Sequence, residues 1–181
     1  MRKKKLKIDK TSKVGELKLK PLKKYKPRNK KKLPVITCYT DGSYSYDTDT
    51  GGFCAYLEHG GKSLIISGHE YKTTVNRMEI RAVLEALKII TVPCLFLIHS
   101  DSMYVVNTIE KNWIKGWISN GWKTFTGTKV ANQDLWSEIY EWLQFHTVKM
   151  IWVKGHTGIE GNELCDEVAQ MHMRALGSII Q

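Results

Sequence analysis

The chain has 181 residues, 42% of them hydrophobic, and its 28 basic and 18 acidic side chains give a formal net charge of +10. This length supports one ordinary domain with an appendage, and the hydrophobic fraction is too high for a wholly disordered chain. The sequence predicts neither a membrane span nor a secretory signal, because it has no apolar run of about 18 residues and no apolar stretch after its basic N-terminus.

The positive charge favours a polyanionic partner, nucleic acid before a membrane surface, but it is unevenly distributed. Residues 1–33 contain 16 basic and 2 acidic side chains, whereas the remainder contains 12 basic and 16 acidic ones. Residues 1–33 have too few large apolar side chains to offset the entropy of ordering, so we predict a disordered basic tail. We expect this tail to contact nucleic-acid phosphates. A nuclear-import signal and a solubilising arm are the alternatives.

Short apolar runs bounded by glycines predict an antiparallel meander after the tail. Its strands are expected over residues 35–40, 53–58 and 63–67. The first strand is expected to end at the turn signal Asp41-Gly42, and Gly60-Gly61 is expected to join the second strand to the third. Helical spacing then predicts a helix from about Thr74 that Pro93 stops, and the continuous apolar run 95–98 predicts a buried fourth strand.

In the second half, Ser100 is predicted to cap a helix that begins at Asp101. Residues 113–125 are rich in Trp, Gly and Lys and predict only an excursion that contains turns. The remaining pattern predicts a helix over 132–145, a strand over 148–153 and a last helix over 161–176. This order, β-β-β-α-β-α-α-β-α, implies a mixed α/β sheet with helices on its faces.

Acidic residues lie beside these predicted elements: Asp41 ends the first strand, Asp101 follows the fourth, and Glu79 and Asp166 lie in the first and last helices. A carboxylate at the exit of a buried strand is costly without a partner. If the first and fourth strands are adjacent, all four acids can meet at one sheet edge. Two divalent ions would balance their charge, and oxygen ligands favour Mg²⁺ or Mn²⁺ over Zn²⁺. The alternative is that each acid is a helix cap or a solvated surface residue.

Five blocks of the sequence resemble type 1 ribonuclease H, in order and with family-like separations. They are Thr40-Asp41-Gly42-Ser43, Asn76-Arg77-Met78-Glu79, Ser100-Asp101-Ser102, Asn120-Gly121-Trp122-Lys123-Thr124, and Gly155-His156-Thr157-Gly158 with Gly161-Asn162-Glu163 and Asp166. The resemblance runs from about residue 35 to residue 175. It implies a ribonuclease H-like fold, in which an antiparallel meander and parallel strands form a five-stranded mixed sheet flanked by helices. The catalytic domain is then expected over 34–177, with 178–181 as a C-terminal end.

The resemblance implies an endonuclease that hydrolyses the RNA strand of RNA–DNA hybrids and leaves 5′-phosphate and 3′-hydroxyl ends. It implies two bound Mg²⁺ ions, with Mn²⁺ as a substitute. The residues that match the family's metal-binding carboxylates are Asp41, Glu79, Asp101 and Asp166. His156 matches the histidine of a mobile loop, which assists proton transfer or product release, and Gly155 and Gly158 would permit that loop to move.

The resemblance also implies how the hybrid is recognised, through RNA 2′-hydroxyls on one strand and shape on the other. Asn76 and the backbone around Met103 would face the RNA minor groove. Aromatic faces that would line the DNA-strand groove belong to Tyr104, Trp113 and Trp117, and the residues that match a DNA-phosphate pocket are Thr74 and Asn132. For Trp113 and Trp117 the alternative is ordinary core, and core is what we expect for Trp136, Trp142 and Trp152.

The sequence departs from the family pattern at two places that would read the hybrid. Asp47, in the segment 46–49, stands where an asparagine usually contacts RNA, and Val75 replaces a polar residue. An acid near phosphates is unfavourable unless a metal ion or water intervenes. These departures motivate one alternative, a nucleic-acid-binding module with the same fold and little turnover. A resolvase- or integrase-like DNA endonuclease is the other.

The four cysteines are scattered and form no C-x-x-C pair, so we expect small buried hydrophobes in a reducing compartment rather than a zinc or redox site. The protein is expected to be cytoplasmic or nucleoid-associated, or nuclear in a eukaryotic host, and not secreted. Nothing in the sequence demands more than a monomer.

Overall fold

The computed structural model describes residues 33–180, so the predictions made for the basic tail lie outside the described residues, apart from residue 33. Five strands form one sheet in the order β3-β2-β1-β4-β5. The elements are β1 Val35–Ser45, β2 Thr50–His59, β3 Lys62–Tyr71, α1 Val75–Ile89, β4 Leu95–Ser100, α2 Met103–Glu110, α3 Trp113–Ser119, α4 Gln133–Leu143, β5 Thr147–Trp152 and α5 Glu160–Ile180.

The sheet is mixed, as predicted. Strands β1, β2 and β3 pair antiparallel and form the expected meander, whose second turn lies at Gly60-Gly61 with both φ angles positive. Strand β4 pairs parallel to β1, and β5 pairs parallel to β4. The first and fourth strands are therefore neighbours, which was the condition for bringing Asp41 and Asp101 together.

The first strand does not end at Asp41-Gly42, which corrects the sequence prediction. Strand β1 continues through both residues, with Asp41 opposite Cys54 and Gly42 opposite Phe53 on β2. Long pairing with β2 overrides the local turn signal, and the chain turns instead at residues 46–49. The turn ends at Asp49, which adopts a left-handed φ of 53°, and the backbone carbonyl of Asp49 accepts a 2.8 Å hydrogen bond from the backbone N–H of Lys72, just after β3.

Two helix predictions in the middle of the chain also need correction. Helix α2 begins at Met103 rather than Asp101, because Ser100 remains paired in β4 and Ser102 takes the N-cap position. The Ser100 hydroxyl still serves this turn, since it accepts a 3.1 Å hydrogen bond from the backbone N–H of Ser102. The excursion over 113–125 contains the seven-residue helix α3, which sequence periodicity does not predict because it is too short.

The two faces of the sheet are covered by different helices. Side chains of β1 alternate, so that Cys38 packs in the main core with α1, α2 and α4, whereas Tyr39 packs beside α5. Trp136 and Trp142 are buried in the main core, as predicted. Gly52 allows α5 to cross the sheet closely, because a Cβ at this position would collide with the backbone of Ala169.

The four cysteines are buried and free, which agrees with the prediction of small buried hydrophobes. The last helix continues to Ile180, four residues beyond the predicted end at Leu176. Within residues 33–180, no helix combines the length and the apolar character that crossing a bilayer requires.

Candidate active site

Three carboxylates from three different elements converge at one edge of the sheet. Asp41 lies on β1, Asp101 directly follows β4, and Glu79 lies in the second turn of α1. Strands β1 and β4 run parallel with Thr40 opposite Ser100, so the next residue of each strand reaches the same edge. One carboxylate oxygen from each of the three acids lies within 4.8 Å of the other two. We call Asp41, Glu79 and Asp101 the carboxylate cluster.

Gly42 sets the distance between β1 and α1 at this point. A Cβ on Gly42 would collide with the backbone N of Glu79 and lie 2.9 Å from Cβ of Met78. Only glycine therefore lets the helix approach closely enough to bring Glu79 beside Asp41. The backbone N–H of Gly42 also donates a 2.7 Å hydrogen bond to Oδ1 of Asp41, which fixes that carboxylate at the sheet edge.

Burial and mutual repulsion raise the pKa values of the two least exposed acids. Asp41 and Glu79 are each 7% exposed. Burial, followed by the charge of Asp101, raises the pKa of Asp41 from 3.8 to about 7, against the opposing hydrogen bond from Gly42. Burial and then the charges of Asp41 and Asp101 raise the pKa of Glu79 well above its ordinary value. The cluster therefore resists carrying its full negative charge unless a cation compensates it.

The donor set of the cluster fits a hard divalent cation. Oε2 of Glu79 is buried and has no hydrogen-bond partner, so it lacks the compensation that a buried carboxylate oxygen requires. The cluster offers oxygen donors alone, which is the chemistry that Mg²⁺ and Mn²⁺ prefer over Zn²⁺. Asp41, Glu79 and Asp101 could therefore hold a metal ion of this class.

Asp166 and His156 form a second group beside the cluster. Asp166, on α5, does not share the 4.8 Å cluster, but its negative charge also raises the pKa of Asp41, less than Asp101 does. Its Oδ2 lies 3.6 Å from Nδ1 of His156, and its Oδ1 accepts a 2.8 Å hydrogen bond from Gln170. The side chain of His156 is 79% exposed, so a solvent-accessible imidazole stands beside the Asp166 carboxylate.

The loop between β5 and α5 is shaped by two glycines with different roles. Gly158 has a φ of 84° and His156 a φ of 54°, and the Glu163 carboxylate accepts a 2.7 Å hydrogen bond from the Gly158 N–H. Gly155 has no positive φ, but a Cβ there would lie 2.5 Å from Oδ2 of Asp101. Gly155 therefore provides space for a cluster carboxylate, a role that the sequence did not reveal.

Trp152 is not a core residue, contrary to the sequence prediction. It ends the edge strand β5, is 48% exposed, and donates a 3.2 Å hydrogen bond from Nε1 to the backbone carbonyl of Asp101. An edge strand offers less cover than a central one, which explains the exposure. Gly155 and Trp152 therefore both touch Asp101, one at its carboxylate and the other at its main chain.

The two residues matched to a phosphate pocket are both hydrogen-bonded to Arg77. Thr74 caps α1 and accepts a 3.2 Å hydrogen bond from the Arg77 N–H. The Arg77 guanidinium donates to Oδ1 of Asn132 at 3.3 Å and forms a bidentate pair with Asp134 at 3.0 and 2.7 Å. Its pair with Glu70, at 2.9 Å, ties the same group to β3. Arg77 was not a predicted site residue, and its contacts across three elements explain why spacing alone did not identify it.

The remaining predicted substrate residues lie along α1, α2 and α3. Asn76 and Met103 are exposed at the first turns of their helices. An aromatic chain begins at the exposed Trp113, whose ring lies 6.4 Å from that of Trp117, and continues from Trp117 to Trp136 at 6.0 Å. Tyr104 accepts a 3.2 Å hydrogen bond from Nε1 of Trp136. Trp113 is thus on the surface, while Trp117 and Tyr104 are partly buried against the core.

The two residues that depart from the family pattern are both exposed. Asp47 is exposed in the turn between β1 and β2, and Val75 is 41% exposed at the start of α1. Thr48 lies against Gly177 of α5, and the Thr50 hydroxyl donates a 3.1 Å hydrogen bond to the Met173 carbonyl. The turn is therefore anchored on α5, and it presents Asp47 to solvent.

Comparisons with known proteins agree with this architecture. The sequence model of the family RNase H matches residues 34–174. A ribonuclease H of Caldicellulosiruptor saccharolyticus is 42% identical over 144 residues, which cover 80% of this chain and 99% of that protein. A ribonuclease H of Haemophilus influenzae is 45% identical over 135 residues, which cover 75% of this chain and 87% of that protein.

Solved structures show the same fold. The crystal structure of LC9-RNase H1, a type 1 RNase H with the type 2 active-site motif, superimposes with a TM-score of 0.69 at 27% identity, and the match covers 79% of this chain and 74% of that one. A foamy viral protease-reverse transcriptase in complex with dsDNA superimposes with a TM-score of 0.62 at 21% identity over 80% of this chain and 96% of that one. The second likeness concerns the fold alone.

Proposed function

The chain belongs to the ribonuclease H family, and from that premise we propose that it hydrolyses the RNA strand of RNA–DNA hybrids, leaving 5′-phosphate and 3′-hydroxyl ends. Membership makes the chain a nuclease of a metal-dependent family. The observation that carries the proposal is the carboxylate cluster, in which three acids from separate elements meet around an uncompensated Glu79 oxygen. A cluster this buried has no evident purpose in stabilising the fold, because its mutual repulsion opposes folding.

The residues proposed to hold two Mg²⁺ ions are Asp41, Glu79, Asp101 and Asp166, with Mn²⁺ as a substitute. Bound there, such ions would supply the Lewis acidity that lowers the pKa of a water molecule and would offset negative charge on the leaving oxygen of the phosphodiester. The chain's own contribution is to position the carboxylates: Gly42 orients Asp41, Trp152 holds the main chain at Asp101, and Gly155 leaves space for the Asp101 carboxylate. We propose that His156, which is accessible to solvent and 3.6 Å from Asp166, accepts or delivers a proton and assists product release.

Hybrid selectivity requires separate contacts for the two strands. We propose that Asn76 and the backbone around Met103 approach the RNA minor groove, where a 2′-hydroxyl offers both a donor and an acceptor. Tyr104, Trp113 and Trp117 would face the DNA strand, whose deoxyribose tolerates close aromatic packing. The DNA phosphate would lie between Thr74 and Asn132, and the link of Asn132 to Arg77 supports this assignment.

The proposal is tested by cleavage of a labelled RNA–DNA hybrid with and without Mg²⁺. Asp101→Asn keeps the size of the side chain but removes its charge, so we expect cleavage to be abolished while hybrid binding in Ca²⁺ survives. Glu167→Gln, which neutralises an exposed acid on α5, is the matched control and should cleave normally. Normal cleavage by Asp101→Asn would refute the assigned mechanism.

A second candidate function is a hybrid-binding module with little turnover. It is favoured by the exposed Asp47 and Val75, which stand where polar residues would contact the hybrid. The same assay separates the two functions, because a binding module retards the labelled hybrid without shortening it. Cleavage of a DNA duplex as rapid as that of the hybrid would instead support a DNA endonuclease.

A further inference from the structure

One large aromatic side chain is displayed on the surface without contact to the core. Phe125 is fully exposed, at 105% of the reference value, whereas Trp113 in the same excursion is 38% exposed. Phe125 lies at the tip of a turn between α3 and α4, and we call residues Lys123–Lys129 the Phe125 turn. A phenyl ring exposed this completely leaves its apolar faces available to a binding partner.

Hydrogen bonds order the backbone of the Phe125 turn. The Thr124 N–H donates to the Thr128 carbonyl at 2.8 Å, and the Gly127 N–H donates to the Thr124 carbonyl at 3.0 Å. The hydroxyls of Thr124, Thr126 and Thr128 lie 2.6 to 3.2 Å from one another, and Gly127 takes the left-handed φ of 83° that closes the turn. A turn held by this many bonds fixes the backbone that carries Phe125, which lowers the entropy cost of binding.

The surroundings of the turn have a net positive charge, unlike the rest of the folded part. Residues 111–133 contain four lysines and no acid, whereas the rest of residues 34–181 contains 8 basic and 16 acidic side chains. Two of these lysines, Lys123 and Lys129, face each other across a single antiparallel bridge at the base of the turn. Within residues 33–180, none of the four lysines lies within 4.0 Å of a carboxylate.

The turn is connected to the groove assigned to the DNA strand. The Trp122 N–H donates a 2.6 Å hydrogen bond to the carbonyl of Trp117, and the Trp122 carbonyl accepts a 2.9 Å bond from Val130. The turn therefore starts at the end of α3, the helix that carries Trp113 and Trp117. The chain therefore leads directly from the helix of the proposed DNA-strand groove to the Phe125 turn.

We propose that Phe125 stacks on an unpaired base in a single-stranded extension of the DNA strand, while Lys123 and Lys129 contact its phosphates. This inference rests on the proposed function, in which the hybrid is the substrate. A free ring face flanked by lysines matches single-stranded nucleic acid, which offers base faces and phosphates together. An apolar protein partner would not explain a region with four lysines and no acid.

The proposal is tested by equilibrium binding in Ca²⁺ of the full chain to two labelled substrates, a blunt hybrid and the same hybrid with several unpaired thymidines on the DNA strand. We expect the extension to tighten binding to the unchanged protein. Phe125→Ala and Phe125→Leu should reduce this gain roughly five- to hundredfold, because stacking on one base contributes on that scale, and Phe125→Tyr should retain it. Ile179→Ala removes another well-exposed apolar side chain and is the matched control.

The salt dependence of binding distinguishes the contribution of the Phe125 ring from that of the lysines. Lys123→Gln and Lys129→Gln should each lower the slope of log affinity against log salt by about 0.7, whereas Phe125→Ala should leave the slope unchanged. The proposal is overturned if the single-stranded extension does not tighten binding to the unchanged protein. It is also overturned if Phe125→Ala keeps the tighter binding, as it would if Phe125 docked a protein, or if Phe125→Ala weakens binding of blunt and extended hybrids equally. The proposed function fails separately, if the unchanged chain does not cleave blunt hybrid in Mg²⁺.

Discussion

Neutralising Asp41 should abolish cleavage and, at the same time, stabilise the metal-free protein above neutral pH. The reason is that Asp41 is 7% exposed beside Glu79 and Asp101, so its charged form is penalised in the folded state. Asp41→Asn keeps the shape and retains an oxygen that can accept the hydrogen bond from the Gly42 N–H. A bound cation needs the negative charge of Asp41, but the same charge destabilises the metal-free fold.

The expected gain follows from the pKa of Asp41, which is raised from 3.8 to about 7, mainly by burial. That difference corresponds to about 4 kcal/mol, an upper bound because Glu79 shares the repulsion. A raised folded-state pKa contributes stability below pH 4 that is lost as the pH rises through about 7. Asp41→Asn does not titrate, so its advantage should be near zero at pH 4 and about 2–4 kcal/mol at pH 8.

Urea unfolding in EDTA at pH 4, 6 and 8 measures this difference, and thermal unfolding at pH 8 should show a rise of about 10 °C in Tm. Adding Mg²⁺ should reduce the stability difference between Asp41→Asn and the unchanged protein, because Mg²⁺ stabilises only the folded protein that can bind it. A gain of equal size at pH 4 and pH 8 would refute the electrostatic reasoning, as would the absence of any gain at pH 8.

Three further predictions concern the surroundings of the site. Gly155→Ala places a Cβ 2.5 Å from Oδ2 of Asp101, so kcat should fall at least tenfold while Tm changes by only a few degrees. Single-turnover cleavage and melting curves measure these two effects, and a normal kcat would contradict the close approach. Trp152→Phe removes the donor to the Asp101 carbonyl and should lower kcat about fivefold at constant KM, whereas a change in KM alone would indicate a substrate contact. Deleting residues 1–33 should weaken hybrid binding and lower its salt slope by about 0.9 per lost phosphate contact, and an unchanged slope would point to localisation or solubility.

The sequence predicted the parts of the fold that have a clear period and adequate length. The apolar run 95–98 and the helix after Thr74 are where spacing placed them, and the adjacency of β1 and β4 brought Asp41 and Asp101 together. The prediction at Asp41-Gly42 was wrong because a turn signal is local, whereas pairing of β1 with β2 extends to Ser45. Tertiary pairing outweighs the conformational preference of two residues.

Other features depend on distances that no one-dimensional pattern contains. Helix α3 has seven residues with Gly116 at its centre, and the packing of Trp117 on Trp136 supports it more than propensity does. Gly155 reads in the sequence as a flexible position, but the structure requires its missing Cβ. The alternation of side chains along β5 predicts that Trp152 faces the core, yet its position at the end of an edge strand leaves it half exposed.

The distribution of charge explains how a domain with net negative charge can serve a polyanionic substrate. Outside residues 111–133 the folded part has 8 basic and 16 acidic side chains, and the carboxylate cluster adds repulsion at the point where a phosphodiester must approach. Attraction must therefore come from elsewhere, and the lysines of residues 111–133 and of the tail are separated in sequence from that cluster. Under the proposed function, the phosphates are held by one region and cut in another. Cations at the cluster then neutralise only the site where cleavage occurs, which links close approach of the substrate to metal loading.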